Sequence, residues 1–335
     1  MRRIAGELAF AAGLVAIGWL VVHFGLNAVL HALASVGVGG FVLLALAHVP
    51  TLAALGLSWW SLSRDAPGAR PLKFIWGRWV RDAGGDVLPL SHVGGYVLGA
   101  RAVALTGVSG LRAAASGLLD LFVEQAAKIP YAMASVALLL WLAPRSGFVA
   151  PAAIVLAVSV ALIGVFVWRR DWIRGRLAAS AVAVAEKWPA LAAADPGETR
   201  AVVAQALAPS GGLAPGLLLH LIGWTLGAAE TWLALRFLGA PVSFGGAVVI
   251  DGLFVAVRMF AFFVPAAVGV QETAYLLLAG LFGVPAATAV ALSLVRRGRD
   301  LVVGAPALVI WQVLERRGLR RAPLKRTPLE PQQTP

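Results

Sequence analysis

Long apolar runs alternate with short polar ones along this chain. Runs of spanning length, about 20 residues, cover Gly6–Val22, Val38–Leu62, Val149–Trp168 and Leu213–Phe237. Two longer helical patterns, Gly110–Leu142 and Ala286–Leu314, keep the periodicity but carry charges. Pro130 predicts a kink in the first of them. The pattern predicts an all-α polytopic membrane protein with about six to eight spans, a single membrane domain over residues 1–335. The run after Met1 holds Glu7 and has no small-residue cleavage site, so it reads as a retained span rather than a signal peptide.

Two stretches interrupt the pattern. In Arg81–Arg101, RDAGGDVLPLSHVGGYVLGAR, six Gly and Pro residues alternate with Asp82, Asp86, Ser91 and His92. Broken backbone at membrane depth is tolerated only where protein buries it or it lines a wet cavity. This predicts a re-entrant hairpin, with breaks at Pro89, Gly94 and Gly95. A second break, at Pro265 and Gly269, lies in FVPAAVGVQETAY, Phe263–Tyr275. Phe244–Gly283 is then either one deep hairpin or two short spans.

The two stretches echo each other. Gly107-Val108 follows Pro89 by eighteen residues, and Gly283-Val284 follows Pro265 by the same interval. Glu124 and Asp300 each follow their proline by thirty-five. We therefore expect two repeat units, 69–145 and 244–314. Orientation follows from the basic residues. Arg64–Arg81, the loop 169–212 and the tail 316–335 are basic and are placed in the cytoplasm, with both termini. The stretch before Gly37 has no Lys or Arg and reads as an outer loop; Ala143–Phe148 is another. The units then cross in opposite directions, the inverted arrangement of secondary transporters. Phe74, Ile75, Trp76 and Trp79 interleave with Arg70, Lys73 and Arg78, which predicts a helix lying on the membrane surface. Trp59, Trp60, Trp141, Trp168, Trp172 and Trp311 read as an aromatic belt.

Composition sharpens this picture. The chain has 335 residues, 60% of them hydrophobic and 13% charged, against about 25% charged in soluble domains. No cysteine is present, which excludes disulfides, thiolate metal sites and a cysteine nucleophile. The net charge of +12 sits in loops beside apolar runs, which points to anionic lipid headgroups and away from nucleic acid. No phosphate-binding glycine loop, zinc-binding H-E-x-x-H or nucleophile elbow appears. No cofactor or metal is expected.

The chemistry concentrates in charges within apolar helices, each costing about 2.5–3.5 kcal/mol at the bilayer centre unless partnered or wet. Asp120, Glu124 and Lys128 recur every fourth residue and share a helix face. Arg296 and Asp300 form a second i,i+4 pair, beside Arg297 and Arg299; Asp251 and Arg258, seven apart, share another face. Three arginines cannot all pair with Asp300, so some are expected to meet acids on other elements, with Asp251, Asp120 and Glu124 as candidates, and at least one to reach a lipid phosphate, which its planar fork fits. Asp86, His92, Arg101, Gln271 and Glu272 in the broken stretches complete the candidate translocation residues. His92 serves either as a proton carrier or as a partner for freed backbone. Glu272 serves either as a helix N-cap or as a binder of a cation.

With VRRGRDLVVG (Val295–Gly304), the two broken stretches resemble the flippase-like membrane region of the lysylphosphatidylglycerol synthetase superfamily, most of all its hopanoid-associated, HpnL-type branch. The spaced Pro265, Gly269 and Glu272 carry much of that likeness. The resemblance spans nearly the whole chain. It implies a bacterial inner-membrane protein that handles lipid. Bifunctional relatives add a soluble aminoacyl-transferring domain; the sequence ends at Pro335, so no enzyme activity is expected. Three readings follow: a transporter moving a hopanoid or phospholipid between leaflets without ATP, a non-transporting partner of lipid-biosynthesis proteins, and a membrane-embedded lipid-modifying enzyme using Asp86, His92 or Glu272 as acid or base.

Overall fold

The computed structural model describes residues 26–65, 67–86, 92–144, 212–260 and 269–321, with isolated positions between 147 and 169. Among these residues there are eight helices and no strand. They are α1 (Leu26–Ser61), α2 (Pro71–Asp86), α3 (His92–Ala104), α4 (Gly110–Leu142), α5 (Leu213–Phe237), α6 (Phe244–Phe260), α7 (Val270–Gly280) and α8 (Ala286–Arg321). Three are long and apolar enough to cross a membrane: α1 over Val29–Ser61, α4 and α5. The chain is an all-α polytopic membrane protein. The expected span Gly6–Val22, nearly all of the loop 169–212 and most of Val149–Trp168 lie outside the described residues.

α4 and α5 have the limits that the apolar pattern predicts. α1 does not. It begins at Leu26, twelve residues before Val38, and kinks at Gly37 (φ 60°). The expected outer loop is thus helical from Leu26, because Leu26–Val36 is apolar enough to continue the helix and lacks any proline. Pro130 lies inside α4, which is assigned as one helix across it.

α2 and α3 pack side by side as the arms of a hairpin, and α6 packs against α7. By their residue counts α3 and α7 are about 20 and 17 Å long, short of the roughly 30 Å hydrocarbon core. They fit arms that turn back rather than cross. Gly94 and Gly95 are not breaks: both lie within α3. Their neighbourhood explains the glycines differently. A Cβ on Gly95 would lie 2.5 Å from the Arg81 carbonyl oxygen, and one on Gly99 would lie 2.9 Å from that of Gly77. Glycine there lets two backbones touch. Gly269, at φ 81°, does interrupt the chain before α7.

The surface helix expected around Trp76 is instead an inner arm. Phe74, Val80, Arg78 and Arg81 of α2 are buried, packed against α1, α3 and α8. Trp59 also leaves the predicted belt. It is 1% exposed, meets Phe74 edge-on at 5.6 Å, and its indole N–H donates to Ser116 Oγ at 3.0 Å. Trp141 and Trp168 are exposed, as belt residues are.

Gly110 and Ala286 open the two long helices 176 residues apart, the separation of Pro89 and Pro265. Just before them, Gly107 and Gly283 both turn the chain at positive φ (92° and 75°), a conformation glycine adopts without steric cost. The valines that follow, Val108 and Val284, are both buried. Pro130 and Pro306 fall at matching positions inside α4 and α8. The same shift lays the order α2, α3, α4 on α6, α7, α8.

Candidate functional site

Two charged clusters face each other across the bundle. The first is built on α4. Asp120 and Glu124 lie one turn apart and are buried. Arg81 of α2 donates to Asp120 Oδ2 at 2.7 Å and also pairs with Glu124. Arg78 donates to Asp82 Oδ2 at 2.8 Å and to Glu124 Oε2 at 3.1 Å. The Arg81 guanidinium lies 3.6 Å from the centre of the Tyr96 ring, whose hydroxyl it also contacts. Lys128 Nζ reaches Glu124 Oε1 at 3.4 Å, the i,i+4 pair that spacing predicts. Behind this layer, His220 of α5 meets Asp120 Oδ1 through Nε2 at 3.0 Å, and Ser58 of α1 donates to the same oxygen at 3.2 Å.

The second cluster is built on α8. Arg296 donates to Asp251 Oδ1 of α6 at 2.8 Å; Thr231 of α5 donates to the same oxygen at 2.9 Å. Arg299 pairs with Glu230 of α5 and with its neighbour Asp300, the latter at 2.6 Å. Glu230 also accepts from Thr51 at 2.6 Å and lies 3.1 Å from His48 Nδ1. Arg297 grips Glu272 at 2.6 Å, while Glu272 caps α7 by accepting from the Gly269 N–H at 2.7 Å. Gln271 beside it is buried and donates to Ser293 Oγ at 3.0 Å.

These contacts revise two expectations. Arg296 binds Asp251, one of the acids expected on other elements, and not its i,i+4 neighbour Asp300, which is taken by the adjacent Arg299. Arg258 pairs with Asp86, at the end of α2. No arginine of the α8 trio is left over for a phosphate, since each has a protein carboxylate. Of the acids that achieve this, Glu230 alone was hidden, the one acid in the apolar run of α5.

Between the clusters lies a cavity of about 150 Å³. Six cations line it: Arg78, Arg81, Lys128, Arg258, Arg296 and Arg299. Six carboxylates do as well: Asp82, Asp86, Glu124, Glu230, Asp251 and Asp300. His48, Gln125 and Trp224 add polar edges. Buried charges without pairing or water would be costly; here each carboxylate meets a cation. Arg258 and Asp86 keep 29% and 25% of their side-chain area accessible.

Eight of the candidate residues therefore converge: Asp86, Glu124, Lys128, Asp251, Arg258, Arg296, Arg299 and Asp300. Asp120 stands one residue behind, through Arg81. Gln271, Glu272 and Arg297 form a separate knot at the start of α7. Arg101 is apart from all of them, exposed and paired with Glu315 at 2.8 Å. Pro89, Pro265 and the side chain of His92 lie outside the described residues. Sequence reasoning passed over Arg78, Arg81, His48, His220 and Glu230. A lone ionisable residue in an apolar span, as His48, His220 and Glu230 are, was the available signal.

Asp120, Glu124 and His220 also bring ligand atoms within 4.8 Å of one another. Both carboxylates already accept from Arg81, whose charge opposes a divalent cation there. The trio serves as an ion-pair network.

The family model of the lysylphosphatidylglycerol synthase transmembrane region matches residues 4–307. The chain belongs to that family. Its membrane helices and this lipid-related membership agree. No curated protein and no solved structure matches the chain significantly.

Proposed function

We propose that this protein moves a lipid between leaflets, its headgroup passing through the charged cavity while its apolar part stays among the helices. The observation that carries this reading is the cavity itself, with six cations and six carboxylates in an otherwise apolar bundle. A purely structural ion-pair network would be closed and dry. This one leaves about 150 Å³ and partly accessible charges. A donor can exchange its carboxylate for the oxygens of a headgroup phosphate without stranding that carboxylate where a second cation holds the carboxylate. Lys128 is the cation best placed for that exchange. Its ion pair, at 3.4 Å, is with Glu124, which keeps Arg78 and Arg81, and its ammonium also lies 5.6 Å from the centre of the Trp224 ring.

The matching order of α2–α4 and α6–α8 supports two units rocking against each other around this space, the inverted-repeat mechanism. In this reading the protein resides in the bacterial inner membrane with both termini cytoplasmic, and forms no covalent bond with its lipid. The driving force is the lipid gradient or a proton. The likeness of Arg81–Arg101 and Val295–Gly304 to the hopanoid-associated branch favours a hopanoid or an anionic phospholipid as cargo, with lipid-biosynthesis proteins as neighbours.

The test is reconstitution into vesicles with leaflet-resolved probes of a hopanoid, phosphatidylglycerol and aminoacylated phosphatidylglycerol. Movement of one probe above protein-free vesicles, lost in Glu124→Gln, is expected. Wild-type vesicles that move none of the three would overturn the reading and leave the partner role.

A further inference from the structure

We propose that the crevice bounded by α1, α2 and α8 is the lateral gate through which the lipid's apolar part follows its headgroup, with Trp79 as the bolt. The inference rests on the transport reading above and names the side on which the lipid enters. The crevice runs into the charged cavity, with which it shares His48, Asp82, Asp86 and Asp300. Its outer wall is apolar. On the flanking helices, Val49 of α1 and Val302 of α8 are 54% and 56% exposed. In a spanning protein such surface meets lipid chains, not water. The crevice thus joins the lipid-facing surface to the headgroup cavity, as a lipid with a polar head and an apolar tail requires.

In this conformation the gate is shut. The crevice holds about 20 Å³, room for about one water molecule and far less than an acyl chain. Trp79 lies in it, and its indole N–H donates to the Val303 carbonyl at 2.8 Å, tying α2 to α8. Gly304, beside that carbonyl, leaves the space that a larger side chain would fill. Both outer helices carry a proline at this level, Pro50 in α1 and Pro306 in α8. Each proline lacks the N–H that would bond the carbonyl four residues earlier, so each helix is short of a backbone bond where it borders the crevice. The indole hydrogen bond is thus the polar tie between α2 and α8 at the crevice, next to the point where α8 lacks a backbone bond.

The test uses the full chain in vesicles of phosphatidylcholine and phosphatidylglycerol. A trace of phosphatidylglycerol with a nitrobenzoxadiazole label on its acyl chain reports transbilayer movement through bleaching by dithionite. Trp79→Phe keeps the ring and removes the donor. It is expected to move label about fivefold faster, with vesicles no leakier to dithionite. Gly304→Leu fills the crevice and is expected to slow movement at least about tenfold. Misfolding lowers the rate of both variants, so opposite signs separate the gate from damage. On the wild-type chain, a phosphatidylglycerol with an acyl-chain diazirine is expected to label α1 and α8 beside Leu52 and Val303. Adducts confined to α4 and α6, or a wild-type rate indifferent to both substitutions, would remove the gate and leave transport standing. A wild-type chain that moves no label removes transport and the gate with it.

Discussion

The helices α2–α4 and α6–α8 follow one plan with opposite charges. In the first set, the arm α2 brings the arginines, Arg78 and Arg81, and the long helix α4 brings the acids, Asp120 and Glu124. In the second, the arms bring the acids, Asp251 and Glu272, and the long helix α8 brings Arg296, Arg297 and Arg299. The shift of 176 residues that superposes Gly110 on Ala286 sets Asp120 against Arg296. The difference teaches how a membrane protein can hold many charges at depth. Most of the pairs close within a set, Asp86–Arg258 joins the two, and the space between them is lined by equal numbers of cations and carboxylates. Two copies with the same placement would leave that space with charge of one sign along both long helices. α5 stands between the sets and serves both, His220 on Asp120 and Glu230 on Arg299.

The comparison breaks most sharply at Arg81. Arg81→Gln removes a guanidinium shared by two buried carboxylates, and breaking such pairing costs about 3–5 kcal/mol. The thermal midpoint in detergent is expected to fall far more than for Arg297→Gln. Glu272 retains the Gly269 N–H and the Ser293 hydroxyl when Arg297 is lost, so that loss should stay near about 1–3 kcal/mol. Equal losses would mean that the two sets do not depend differently on their arginines.

Exchanging charges sharpens the same contrast. Asp251→Arg and Arg296→Asp should each destabilise, while the double variant restores the pair with the polarity of the first set. A coupling of about 2 kcal/mol is expected from the double-mutant cycle. Additive losses would show that geometry forbids the first set's arrangement in the second.

Lys128 tests function against architecture. Because Glu124 keeps two arginines, Lys128→Ala should cost well below the about 3–5 kcal/mol of stranding a buried charge. Lipid movement should nonetheless fall several-fold. An unchanged rate would remove Lys128 from the headgroup path. The smallest effect belongs to Arg101→Ala. The exposed pair with Glu315 is worth less than about 1 kcal/mol in any solvent-screened setting, so a large drop in stability would mark it as a joint between elements.

The ends of α4 and α5 were legible because apolar periodicity stops at Gly and at a polar turn. The eight convergent charges were legible as residues too costly to bury alone. Their pairing was not. Arg78 and Arg81 look like surface cations until the fold brings Asp120 and Glu124 beside them, about forty residues away in sequence. Trp76 and Trp79, interleaved with those cations, reinforced the impression of a membrane-surface helix, and nothing local contradicts it. Glycine misled in the opposite direction. Gly94 and Gly95 suggest broken backbone, yet a glycine within a helix and one that ends it differ only in what lies opposite, here Arg81 and Gly85. For Arg296, spacing favours Asp300, but contact with α6 outweighs it.

The backbone contact between α2 and α3 has a mechanical consequence. At Gly95 and Gly99 the arms meet backbone to backbone, while Leu98 and Val103 pack onto Gly84 and Gly77, so the hairpin forms one closely packed rod. One end of that rod is tethered at Asp86 to Arg258, and the far end at Arg101 to Glu315. The rod therefore joins the edge of the cavity to the terminal turns of α8, some twenty residues beyond Val295, through one part-buried pair and one solvent-screened pair.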